Sequence, residues 1–372
     1  VAPRILIAPL DWGLGHTTRC LPIIRVFLEL GADVTIAGNE KQVHLLCKEI
    51  PELKWIFLKG YGMRYSTSSW RTRAKIIIQI PKILTVVKRE HRWLEQLLKN
   101  EKFDLVISDN RFGLYHDQVH AIFITHQLQI QVPFSKWLEK ILQRWNYHFI
   151  NKFDECWVPD YKEDRNLAGD LSHSLKIPSI KLEYIGPLSR FKSIASHSIQ
   201  EELLLVLISG PEPQRTIFEN IMVEQLKSFS GRAIVLRGLP GSDENLESFG
   251  NVSFINHLPT DEMSRLMQEA SLVICRSGYS SIMDLVRLQK KSILIPTPGQ
   301  TEQEYLASYL MKEKFFFALD QKSFSLNKAL AAASTFQFAD MRVFNQINLS
   351  SIVRDLLKRM EVKTPQVNGS NQ

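Results

Sequence analysis

Residues 272–305 read LVICRSGYSSIMDLVRLQKKSILIPTPGQTEQEY. An apolar strand (Leu272 to Cys275) enters a turn at Arg276, Ser277 and Gly278, and a helix follows from about Ser280 to Gln289. A second apolar strand (Ser292 to Ile295) then leads into a loop of small and amide residues. In such a strand, turn, helix, strand unit the glycine lets the backbone turn sharply. The free N–H groups of the helix's first turn then point into the space above the strand ends, which suits an anion. Asp284, one turn into the helix, stands where a carboxylate accepts hydrogen bonds from two adjacent ribose hydroxyls if that anion is a nucleotide diphosphate. A plainer reading exists: Ser281 three residues before Asp284 resembles a capping pattern, and many such units bind no nucleotide.

Outward from this stretch, apolar runs alternate with longer amphipathic segments. Upstream they are Ile5 to Pro9, Val34 to Ala37, Trp55 to Leu58, Leu105 to Ser108, Ala121 to Thr125, Trp157 to Val158 and Tyr184 to Ile185. In the second half they are Leu203 to Ile208, Ala233 to Leu236, Val252 to Ile255, the two strands of the opening stretch, and Phe315 to Ala318. Runs this continuous are what parallel sheets covered on both faces require. The expected fold is α/β, with two doubly wound, Rossmann-like domains. Gly186 to Ser198 (GPLSRFKSIASHS) is rich in Pro, Gly, Ser and basic residues and reads as the linker. The boundary is therefore set near 190, dividing a domain of residues 1–188 from one of 189–360, with 361–372 as a polar, disordered tail. The carboxyl ends of both sheets are expected to face one cleft.

The chain of 372 residues has 44% hydrophobic residues and a net charge of +7, which favours anionic partners. Cys20, Cys47, Cys156 and Cys275 are scattered without a CxxC pair, so neither a zinc site nor a disulfide framework is expected, and a reducing cytoplasm fits. The start, VAPRILIAPLDWG, reads as a first strand rather than a signal peptide. No run approaches the twenty or so apolar residues of a membrane span. Two segments do suit an anionic membrane surface. Residues 64–93 mix Trp70 and a run of isoleucines with Arg64, Arg71, Arg73, Lys75, Lys82, Lys88, Arg89 and Arg92; residues 134–152 repeat the mixture with Phe134, Lys136, Trp137, Lys140, Arg144 and Trp145. The alternative is an amphipathic helix with its apolar face on its own sheet. Nucleic acid is not expected, since no recognised binding motif accompanies these residues.

After the first strand comes DWGLGHTTRCLPIIRVFLELG. Gly13 and Gly15 let the backbone pass close to a ligand, and His16, at a strand's carboxyl end, is placed for proton transfer at the cleft. Leu21, Ile24 and Leu28 fall on one helix face. Asp109 ends another strand and is either a second base or a group that orients His16. His126 ends the strand AIFITH and also faces the expected cleft.

Together these pieces resemble the GT-B glycosyltransferases, and most closely the family 28 (MurG-like) group, which transfers N-acetylglucosamine from its UDP-sugar to a lipid-linked peptidoglycan precursor. CRSGYSSIMDLVRLQKKSILIPTP with Gln303 and Glu304 is similar to that family's donor-binding segment, and FINHLPTDEMSRLMQEASLVICRSG extends the likeness upstream. The resemblance implies that Asp284 binds the ribose and that Ser280, Ser281 and the turn Arg276, Ser277, Gly278 hold the diphosphate. It also assigns Gln303 and Glu304 to the sugar, the segment around His257 to the base, and Arg190 of YIGPLSR to the phosphates. The chain departs from the family in DWGLGH, where Asp11 and Trp12 replace glycines, and in SGPEPQRT (residues 209–216), where Pro211, Glu212 and Pro213 do. GHTTR also resembles the GHxxR pattern of related sugar-nucleotide hydrolases.

The resemblance thus implies an inverting, metal-free, cytoplasmic transferase, peripheral on the inner face of the membrane. Its donor would be a UDP-sugar, its acceptor a lipid-linked or envelope glycan, and its base His16, assisted by Asp109. The alternatives are a UDP-sugar hydrolase using the same His16 and a catalytically silent sugar-nucleotide binder.

Overall fold

A computed structural model describes residues 2–62, 80–132, 135–191, 200–344 and 347–363. The strands form two parallel sheets. The first holds β1 (Arg4–Pro9), β2 (Asp33–Gly38), β3 (Lys54–Phe57), β4 (Leu105–Asp109), β5 (His120–Ile124), β6 (Glu155–Val158) and β7 (Lys181–Tyr184), in the order β3-β2-β1-β4-β5-β6-β7. The second holds β8 (Gln200–Leu207), β9 (Arg232–Leu236), β10 (Val252–Ile255), β11 (Ala270–Cys275), β12 (Ser292–Leu294) and β13 (Phe317–Ala318), in the order β10-β9-β8-β11-β12-β13. Every apolar run picked out in the sequence is a strand, shifted by at most two residues at most ends. Two-sided burial is the reason: all five residues of β4 are buried, so its sequence cannot alternate.

Each sheet changes direction beside its first strand. β1 lies between β2 and β4, with Pro9 opposite Asp109, and β8 lies between β9 and β11, with Leu207 opposite Cys275. The loops leaving these strands diverge and open a crevice at each carboxyl edge, the usual ligand position in such sheets. Helix α1 (Leu14–Glu29) follows β1 and buries Cys20, Leu21, Ile23, Ile24 and Phe27. Leu28, expected on that face, is 38% exposed, because the buried face is centred on Cys20, Ile24 and Phe27 instead.

The core is continuous across both domains, joining Ile24 of α1 to Ile282, Leu205 and Val353. Helices α2 (Glu40–Glu49), α3 (Ile80–Asn100) and α4 (Lys136–Ile150) complete the first domain. The second domain carries α5 (Gln214–Leu226), α6 (Thr260–Glu269), α7 (Tyr279–Arg287), α8 (Thr301–Lys312) and α9 (Leu326–Thr335). The last helix, α10 (Leu349–Lys363), packs against α1, and its Arg359 lies 3.0 Å from Glu155 of β6. From the expected second domain the chain thus returns to the first near residue 347, and residues 361–363, expected in the tail, continue this helix. Residues 364–372, like 192–199 of the linker, lie outside the described residues.

The two basic, apolar segments part company. In α3, Val86, Val87 and Leu94 are buried while Lys82, Lys88, Arg89 and Arg92 are exposed, the plain amphipathic arrangement. In α4, Trp137 is 73% and Trp145 41% exposed, beside exposed Lys136, Lys140 and Arg144. Residues 63–79 and Phe134 lie outside the described residues. Among those described, no helix is long and apolar enough to cross a membrane.

Candidate active site

The loop from β1 into α1 brings the first group of site residues to the crevice. Gly13 caps α1 at φ 134°, a conformation that side chains disfavour. A Cβ on Gly15 would stand 2.8 Å from Oγ of Ser280, so a side chain there would displace that hydroxyl where the loop meets the first turn of α7. Nδ1 of His16 lies 3.2 Å from Oδ2 of Asp109. A carboxylate only accepts, so Nδ1 carries the hydrogen and Nε2 keeps its lone pair. Burial, followed by the charge of Arg19, lowers the His16 pKa, which keeps the ring neutral near pH 7.

Asp109 is fully buried. Arg19 Nε donates to its Oδ2 at 2.9 Å, and a second guanidinium nitrogen of Arg19 contacts Oδ1. Burial alone would raise the carboxyl's pKa, but Arg19 and His16 more than offset this and hold it well below the usual carboxylate range. Of the two roles expected for Asp109, orientation of His16 fits its burial and its engagement by His16 and Arg19.

From the second domain, Ser280, Ser281 and Asp284 of α7 line a cavity of about 140 Å³ together with Arg190, His257 and, from the first domain, Leu14, Gly15 and Thr18. Asp284 accepts a hydrogen bond from Ser189 Oγ at 2.6 Å, and its Oδ2 lies 3.3 Å from Arg190 Nε. Burial raises the Asp284 pKa against the pull of Arg190. Arg190 itself is poorly satisfied. Its Nε is buried without an aligned acceptor, Nη2 meets only the sulfur of Met263 at 3.0 Å, and the guanidinium lies over Phe191. Burial, with Arg190 next, lowers the His257 pKa.

Four residues assigned to the donor have side chains engaged in the protein itself. Arg276 is 1% exposed; Nη1 donates to the carbonyls of Ile295 and Pro296, Nη2 donates to that of Gln214, and the guanidinium covers the Phe218 ring. Among the described residues no carboxylate pairs with it, and burial pushes its pKa down to about 9. It ties the end of β12 to the start of α5, its Nε is buried without a partner among the described residues, and it is not among the residues lining the cavity with Arg190. Ser277 is fully buried and donates to the carbonyl of Gln303. Gln303 and Glu304 accept from the backbone N–H groups of Thr297 and Gly299, pinning the loop before α8. Gly278 caps α7 at φ −70°, so the sharp glycine turn expected there is ordinary extended backbone. The altered loop contributes Ser209 to the cavity wall, while Arg215 is held by Glu212 and Glu219.

His126 is only 3% exposed, and its ring joins the domains: Nε2 lies 2.8 Å from Oε1 of Glu302 on α8. Sequence reasoning assigned no role to Glu302, Tyr279 or Arg19. Arg19 had a signal in GHTTR. Glu302 had none, because its partners are about 175 residues away. Among the described residues, no three His, Cys, Asp or Glu side chains gather as a metal would require.

Residues 242–354 match the model of the glycosyltransferase family 28 C-terminal domain. The chain is 24% identical to an uncharacterized glycosyltransferase of Methanosarcina acetivorans, over 82% of this chain and 81% of that one. It is 22% identical to the UDP-N-acetylglucosamine–N-acetylmuramyl-(pentapeptide) pyrophosphoryl-undecaprenol N-acetylglucosamine transferase of Clostridium perfringens, over 91% of both chains. Among solved structures, the glycotransferase of kitacinnamycin superposes with a TM-score of 0.64 at 15% identity, covering 96% of each chain. The calicheamicin glycosyltransferase gives 0.63 at 11%, covering 98% and 99%.

Proposed function

We propose that this chain, a family 28 glycosyltransferase of the GT-B fold by its likenesses, moves a sugar from a UDP-sugar to an acceptor hydroxyl with inversion. The donor sugar is N-acetylglucosamine or another hexose, and the acceptor is a lipid-linked or envelope glycan. The observation that carries this reading is Arg190, whose Nε is paired with Asp284 only at 3.3 Å and without hydrogen-bond alignment, in the cavity wall beside the first turn of α7. A part-buried guanidinium that the protein pairs only loosely is stabilised by an anion that supplies aligned acceptors, and a diphosphate there also meets the N–H groups of the helix start.

In the proposed complex Asp284 accepts from the ribose hydroxyls, Ser280, Ser281 and Arg190 hold the diphosphate, and the segment around His257 faces the base. The acceptor hydroxyl gives its proton to Nε2 of His16 as its oxygen forms a bond to the anomeric carbon. The bond from that carbon to the diphosphate oxygen breaks, and the electron pair leaves with UDP. One displacement inverts the anomeric centre. Asp109 keeps His16 in the accepting tautomer, and general base catalysis by His16 contributes about 10²–10⁴-fold. Arg190 stabilises the charge that grows on the leaving diphosphate.

A membrane-bound acceptor is favoured by the Clostridium relative, whose name specifies an undecaprenol-linked substrate, and by α4, which sets Trp137 and Trp145 among exposed basic residues. We place the protein at the cytoplasmic face of a membrane on these grounds. The test is UDP release from a set of UDP-sugars with and without polyprenyl-phosphate-linked acceptors. Acceptor-stimulated release is expected. Release that is independent of acceptor would replace the reading with a hydrolase, and no release from any UDP-sugar would replace it with a binding protein.

A further inference from the structure

Behind His16 a line of polar contacts leaves the first domain and enters the second. Asp109 holds His16 and is held by Arg19; Nη1 of Arg19 lies 3.3 Å from Nδ1 of His126, and Nε2 of His126 lies 2.8 Å from Oε1 of Glu302. Gln127 donates to the other oxygen of Glu302 at 2.6 Å. The direction of each bond is fixed by chemistry. A guanidinium only donates, so Nδ1 of His126 accepts, and Nε2 carries the hydrogen that Glu302 receives. The same ring stacks on Tyr279 with centroids 4.1 Å apart and planes 8° apart. Tyr279 opens α7, and its hydroxyl donates to the carbonyl of Pro159 in the first domain. One imidazole thus touches both second-domain helices that frame the cleft.

We infer that Glu302 is a positioning residue for His16: its contact with His126 and Gln127, made only when the two domains meet, fixes Arg19, and Arg19 with Asp109 fixes the imidazole that takes the proton. This rests on the reading of His16 as the base. The physical argument is the cost of leaving buried polar groups unpaired. Without Glu302, the Nε2 hydrogen of the buried His126 and the Gln127 amide lose their acceptor, and water or a shift of the ring must replace it. Either change reaches Arg19, which the ring contacts directly. The charged and titratable groups facing His16 are Arg19, Asp109, His126 and, from α8, Glu302. Separating the domains would rehydrate this cluster, so a correctly held base would coincide with a closed cleft.

The test needs no substrate. In the full-length protein labelled with ¹⁵N-histidine, the titration midpoint and tautomer of His16 are read by NMR, with His16→Gln identifying its signals. Glu302→Ala is expected to move the midpoint upward, toward the ordinary imidazole value of about 6.5, because loss of the contact lets water in where burial now lowers it. Glu302→Gln, which still accepts from His126, is expected to leave the midpoint at or below that of the parent. Gln127→Ala, which keeps Glu302 itself, is expected to shift it in the same direction as Glu302→Ala but less. Equal midpoints in all four proteins would overturn the inference. So would Glu302→Gln matching Glu302→Ala, which would place the effect on charge rather than on the contact. Turnover of His16→Ala tests the base assignment separately, so the two failures are distinguishable.

Discussion

Replacing Asp284 with Asn separates stability from donor binding. Asn keeps the shape of a protonated aspartate and can still accept from Ser189 Oγ, which lies 2.6 Å away. The native carboxyl has a pKa raised by burial even with Arg190 beside it. A carboxyl of this kind adds stability below the unfolded value of about 4 and loses it as pH rises through the higher folded value. At neutral pH its charge is therefore a net cost to the fold, and Asp284→Asn should have a Tm equal to or above that of the parent. Donor binding should respond in the opposite sense. A hydrogen bond to a charged group contributes about 1.5–3 kcal/mol and a neutral one about 0.5–1.5, so two ribose hydroxyls lose together about 2 kcal/mol, or roughly 30-fold in affinity. Isothermal titration with UDP at pH 7.5 and a thermal melt of the same samples measure both. UDP affinity within twofold of the parent would refute the ribose assignment. A clear fall in Tm would refute the argument from burial.

His16→Ala should lower turnover by about 10²–10⁴-fold with UDP affinity kept. In the parent, kcat/KM should fall as pH drops through a midpoint below the ordinary imidazole value, since burial and Arg19 lower the His16 pKa; a midpoint above that value would contradict it. Arg190→Gln should cost about 3 kcal/mol of transition-state stabilisation and weaken UDP binding as well; a loss in affinity with kcat unchanged would confine Arg190 to ground-state binding. The double variant Trp137→Ala, Trp145→Ala should sediment less with vesicles containing phosphatidylglycerol at low salt. The parent's binding should weaken as salt rises, because each exposed basic residue near the headgroups contributes about 1 kcal/mol. Parent protein that stays in the supernatant would remove α4 from the membrane reading.

The strands and the order in which helices cover them were legible in the residues alone, because strands buried on both faces must be apolar throughout and few other patterns satisfy that demand. The position of His16 was legible too, since a glycine-rich turn after a first strand has few uses. Sequence could not say which polar side chains turn inward. Arg276 and Arg190 are both arginines beside expected phosphate positions, and each leaves its Nε without a hydrogen-bond partner among the described residues, yet one gives both terminal nitrogens to backbone carbonyls beneath the turn and the other lines the cavity. That outcome depends on where Ile295, Pro296 and Gln214 come to lie, which is a property of packing. Glu302 is the extreme case, a surface-type residue in the sequence that acquires its partners only when α8 of one domain closes on β5 of the other. What residue order fixes is the local pattern of burial along each element; the pairing of polar groups across a cleft is decided when two separately patterned sheets dock and every buried donor must find an acceptor.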